Sequence, residues 1–184
     1  MVPSDSPKLA YEDAFCMVAT WRSLVMPVMG HRSLPASSAK AQVRALVEHG
    51  KRIGRGRMAE ITLISHDAPL PEADTRTALD AAVPLVSPYY GCVSAVFDGT
   101  GFRGAFVRGM LTSFQMLSRN KFPQKIFSSI DAAAKWTFTY LPAMGMDVAS
   151  PDEIIEAVKA VREIALTRGV LSPSGGAAVN QVSA

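Results

Sequence analysis

GCVSAVFDGTGFRGAFVRGMLTSFQMLSRNKFP, residues Gly91 to Pro123, holds two periodicities side by side. Cys92 to Phe97 is a short apolar run bounded by Gly91 and by Asp98-Gly99, which suits a central strand. From Phe102 the spacing changes: Phe102, Phe106, Met110, Phe114 and Leu117 recur every three or four residues, which lays an apolar stripe along one side of a helix. Strand, glycine turn and covering helix form the repeating unit of an α/β fold.

Working outward, 184 residues suit one domain with a single core. An apolar share of 48% against 19% charged describes a globular chain. Nineteen Lys and Arg against 16 Asp and Glu leave a net charge of only +3, too small an excess to argue for nucleic acid. Cys16 and Cys92 both lie in apolar runs and read as buried free thiols of a reducing compartment. Met1 to Asp13 is polar, with no secretory pattern. The apolar stretch Phe15 to Met29 is broken by Arg22 and Pro27, so it does not read as a membrane span. A cytoplasmic protein is expected.

Taken in order, residues 1–10 read as a flexible arm. Phe15–Trp21 and Leu24–Met29 read as a β-hairpin, with Pro27 placing the second strand at an edge or making it irregular. Ala39, Val43, Leu46 and Val47 mark a helix to about Gly50, capped by Ser37 or Ser38 and closed near His49-Gly50. Met58–Ile64 is the next strand, with Glu60 and Thr62 facing away from the core. Pro69, Pro71 and Glu72 introduce a second helix through Val86, which Pro84 kinks or ends early. After the central unit, Lys125–Phe127 is a short strand. Ser128 or Ser129 then caps a helix through Tyr140 that Pro142 closes. Ser150-Pro151-Asp152-Glu153 predicts a capping box opening a striped helix to about Arg168. Residues 172–184 read as a flexible tail. The expectation is an α/β fold: a mixed four- to five-stranded sheet with helices packed on it over residues 11–142, plus an added C-terminal helix over 150–168.

This order resembles the STAS domains, the fold of anti-sigma-factor antagonists, and the single-domain STAS-like proteins of bacteria. The residues that carry the likeness are the opening hairpin, the turn Asp98-Gly99-Thr100-Gly101, and the short last strand leading into Phe127-Ser128-Ser129-Ile130-Asp131-Ala132-Ala133. The resemblance implies a module that binds another protein and implies no catalytic residues. In the family's antagonists a Ser or Thr directly after the aspartate is phosphorylated. Here Gly99 holds that position and the hydroxyl comes one residue later, at Thr100. A phosphate on Thr100 would sit at the start of the helix, where free N–H groups favour negative charge.

Gly99-Thr100-Gly101-Phe102-Arg103-Gly104 is also a G-x-G-x-x-G between a strand and a helix. No Asp or Glu occurs between Asp98 and Asp131 to take a ribose, and Phe102 crowds the place of a phosphate, so a structural turn is preferred to a dinucleotide cradle. The remaining reading is an anion or phosphopeptide site using Arg103 and Arg108. His66-Asp67 follows a strand end, but no nucleophile elbow accompanies it, so it reads as an exposed loop pair. Three scattered histidines and two separated cysteines give no metal spacing, and no cofactor is expected. Lys51 to Arg57 is a basic segment without interleaved aromatics, so a solvated loop is preferred to nucleic-acid binding.

Together these observations favour a non-enzymatic regulatory or protein-interaction module of a bacterial cytoplasm. It would contact its partner through Asp98, Thr100, Gly101, Arg103 and Arg108. The last helix would pack on the sheet or pair with a second copy as a homodimer. The alternatives are a small-ligand or anion-binding protein or enzyme using the Gly99–Gly104 turn, or a nucleic-acid binder using Lys51–Arg57.

Overall fold

The computed structural model describes residues 6–97, 122–146 and 150–173. Its six strands are β1 (Lys8–Glu12), β2 (Cys16–Trp21), β3 (Leu24–Met29), β4 (Met58–Ile64), β5 (Tyr90–Val96) and β6 (Gln124–Phe127). They lie in one sheet in chain order. The first three pair antiparallel, and β3 to β6 run parallel. The α/β class and the mixed sheet hold, but the sheet has six strands rather than four or five. The extra one arises because Lys8 and Leu9, expected within a flexible arm, pair with β2 as part of an edge strand whose register shifts at Ala10.

Period-two alternation assigns each strand residue to one of two cores. Met17, Ala19, Trp21, Leu24, Met26, Val28, Ala59, Ile61, Leu63 and Cys92 face one layer. Helices α3 (Ile130–Phe138) and α4 (Pro151–Thr167) cover it with Ile130, Ala133, Ala134, Ile154, Val158, Val161 and Ala165. Val18, Val25, Met58, Tyr90 and Val93 face the other layer, covered by α1 (Ala36–Ile53) and α2 (Ala73–Val86) through Ala45, Leu46 and Val86. Burial on both faces explains why β2 to β5 are apolar almost throughout. It also overturns the expected outward placement of Glu60 and Thr62, each only 9% exposed. The C-terminal helix is integral to the first core rather than an appendage.

Several local expectations shift. Strand β3 is interior, yet its ladder to β4 skips from Val25 to Val28, so Pro27 sits where no hydrogen bond to β4 is made. Helix α1 begins after Pro35 without a side-chain cap and runs past Gly50 to Gly54, whose φ of 104° only glycine adopts easily. His49 is therefore inside the helix and buried rather than a cap. Lys51 and Arg52 occupy the last turn, where their charge complements the helix dipole. Pro84 does not stop α2, which ends two residues later. Ser129 does cap α3, its hydroxyl accepting from the Ala132 N–H. Helix α3 ends at Phe138, and Pro142 opens a 3-10 turn.

Ser150 and Pro151 start α4 as expected, but the capping box is not made. Glu153 instead reaches Arg22, 3.2 Å away, in the β2–β3 turn. Arg22 itself has a φ of 51° and stacks its guanidinium 4.5 Å from the centre of the Trp21 ring. Beyond α4, the chain returns along the sheet edge. His31 donates its backbone N–H to the Val170 carbonyl, and Arg168 pairs with Glu12 at 3.0 Å. Gly30 makes this close approach possible: a Cβ there would lie 2.6 Å from both the Phe15 and Val170 carbonyl oxygens.

Candidate functional site

In an open α/β sheet, the C-terminal ends of the parallel strands are where loops diverge and ligands are held. Here a cavity of about 240 Å³ opens at that edge, beyond β4, β5 and β6. Its floor is apolar, from Leu63, Ile64, Val96, Ile130 and Leu171. The polar groups around it come from several separate segments. Ser65 and His66 follow β4, Ser128 and Ser129 join β6 to α3, Asp131 lies in the first turn of α3, Lys159 and Arg162 project from α4, and Ser172 lies on the returning chain.

Each is placed for a local reason. Ser129 is fixed by its role as cap, which brings the first turn of α3 and its free N–H groups to the cavity wall. Lys159 and Arg162 are three residues apart, so one face of α4 presents both while Val158 and Val161 stay buried beneath. Lys159 lies 3.9 Å from Asp131, a contact with both side chains 56% exposed and therefore of little energetic weight.

Beside the cavity, Ser65 and Ser172 both donate hydroxyl hydrogens to Asp67, at 2.5 Å and 2.7 Å. Burial pushes the Asp67 carboxyl upward, but the two hydroxyls, its own backbone N–H and nearby His66 outweigh that and hold it below the ordinary carboxylate value. Asp67 is thus a fixed anchor that ties the chain after α4 to the end of β4. The expected exposed loop pair His66-Asp67 is half-buried, and Asp67 is engaged by serines.

The expected contact residues Asp98, Thr100, Gly101, Arg103 and Arg108, and with them the Gly99–Gly104 turn and the Thr100 phosphosite, lie outside the described residues. The described chain ends its approach to them at Val96, which lines the cavity, and at Phe97, whose N–H bonds to the Phe127 carbonyl. The basic segment is divided between roles. Arg52 donates to His49 at 2.7 Å, and Arg57 donates through Nε to the Met144 carbonyl at 3.1 Å. Both cysteines are buried, and burial pushes each thiol up to about 12. Among the described residues no cluster of three or more His, Cys, Asp or Glu is arranged to hold a metal, and no helix is long and apolar enough to cross a membrane.

The Ser128-Ser129 pair was legible as following a strand, but Ser65, Lys159, Arg162 and Ser172 carry no local motif. Only the packing of α4 beside α3 brings the last three to the same edge. Compared with protein-family models, curated proteins and solved structures, the chain matches none.

Proposed function

We propose that this chain is a STAS-like regulatory module of a bacterial cytoplasm that binds another protein, gripping an anionic group of that partner in the cavity at the C-terminal strand edge. The observation that carries the reading is the convergence there of Lys159, Arg162, the Ser128 and Ser129 hydroxyls and the first turn of α3 around an apolar floor, where two cations outnumber the one carboxylate, Asp131. Hydroxyl and amide donors beside two cations suit a phosphorylated or acidic side chain, because such groups need several hydrogen bonds and a compensating charge at once. The opening hairpin and the short strand leading to a serine-capped helix support the STAS-like part of the reading. The cavity also borders the end of β5 at Val96.

The test is a nuclear magnetic resonance titration of the labelled protein with O-phosphoserine, with serine as the control. Phosphoserine is expected to move the amide signals of Ser129, Ile130 and Asp131, and Lys159→Ala with Arg162→Ala is expected to abolish the shift. Equal shifts with serine, or shifts that survive the double substitution, would remove the cavity from the proposal.

A further inference from the structure

On the opposite face of the sheet, Glu60 stands at the centre of β4 beneath α1 and α2. Thr62 donates its hydroxyl to one carboxyl oxygen at 2.6 Å, and Tyr90 donates to the other. Among the described residues no Lys, Arg or His pairs with this acid. Desolvation therefore raises the Glu60 carboxyl above its ordinary value, opposed only by those two hydroxyls, and it drives the Tyr90 phenol well above its own. A buried acid with two donors and no cation is an incomplete arrangement, since a carboxylate has about four acceptor directions.

The space beside it is open. A cavity of about 150 Å³ lies against Glu60, walled by Met29, Leu46, Leu79 and Val86. Gln42, only 5% exposed, also lines it and makes no side-chain hydrogen bond to a described residue. A void of that volume accepts a molecule of about benzene size. Apolar walls with one carboxyl and one amide specify its chemistry: an apolar body with a single donor head.

We infer that the Glu60 cavity is a second binding site, taking a small protonated amine on a compact apolar body. The ammonium supplies the missing cation to Glu60 and shares a hydrogen with the Gln42 carbonyl, while the body fills the space beneath α2. A neutral analogue forfeits the charge pairing, and an anion is repelled.

Calorimetric titration of the whole protein with benzylamine tests this, with benzyl alcohol and benzoate as neutral and anionic counterparts. Benzylamine is expected to bind with a dissociation constant on the order of 1 mM, as suits so few atoms. Benzyl alcohol should bind at least tenfold more weakly and benzoate not at all. Glu60→Gln, close to isosteric, should weaken benzylamine at least tenfold and leave benzyl alcohol within about threefold. Ala82→Leu fills the cavity from α2 and keeps Glu60, so it should abolish both. Any of three results would overturn the inference: no heat with benzylamine, benzyl alcohol as tight as benzylamine, or undiminished binding by a folded Ala82→Leu.

Discussion

Replacing His49 by leucine should make the protein less sensitive to acid. His49 is 3% exposed inside α1; its Nδ1 accepts from Arg52 at 2.7 Å, and its Nε2 has no hydrogen-bond partner among the described residues. Burial first, and the Arg52 charge second, push the ring from 6.5 down to about 4. Between those two values the unfolded chain takes up a proton that the folded chain refuses. Stability from this residue is therefore full above 6.5 and drains away as pH falls towards 4. A displacement of that size is worth ~3 kcal/mol at its ceiling. Screening of a ring beside a solvated guanidinium reduces it to about 1–2 kcal/mol. Leucine removes the titration and the unpaired N–H, whose desolvation costs about 1–3 kcal/mol, and Arg52 at the surface turns to water. Urea unfolding of both proteins from about pH 7.5 to about pH 4.5 measures the difference directly. His49→Leu should equal or exceed wild type at the upper end, and its advantage should grow by about 1–2 kcal/mol towards the lower. Parallel pH curves would refute the reasoning, because they would mean that the ring is as readily protonated folded as unfolded.

The Glu60 carboxyl, raised by desolvation, has the opposite sign: its contribution is present below 4.5 and is lost as pH rises through the folded value. Glu60→Gln should therefore gain on wild type as pH rises from 4.5 towards neutrality, and a constant difference in unfolding free energy would disprove it. Gly30→Ala should cost about 1–3 kcal/mol, since the added carbon meets two backbone oxygens that cannot rotate away. Faster hydrogen exchange at the His31 amide should accompany it, and an unchanged unfolding midpoint would show that the edge chain yields freely.

The layered α/β plan was legible because it rests on periodicity: β2 to β5 are apolar runs, and Ile154, Val158, Val161 and Ala165 stripe one side of α4. The serine cap at Ser129 also carried, whereas Ser37, Ser38 and Gly50 did not mark the ends of α1. Three things were not legible, each for a physical reason. Lys8–Glu12 lies at the sheet edge with Lys8, Leu9 and Ala10 exposed, so burial imposes no apolar alternation on its sequence. Glu60 was read as outward because it alternates with Ala59 and Ile61, yet α1 and α2 cover that face too. Lys159, Arg162 and Ser172 reach the cavity only through tertiary packing, which no local pattern encodes.

The closure of the last helix on the first strands also bears on how the polypeptide is made. Trp21, Leu24 and Val28 emerge early in synthesis, but Val158, Val161 and Ala165, which share their core, are translated more than a hundred residues later. The part of this face that α4 covers therefore stays bare on the ribosome until residues 151–167 have emerged, an interval in which a holding chaperone would have most to bind.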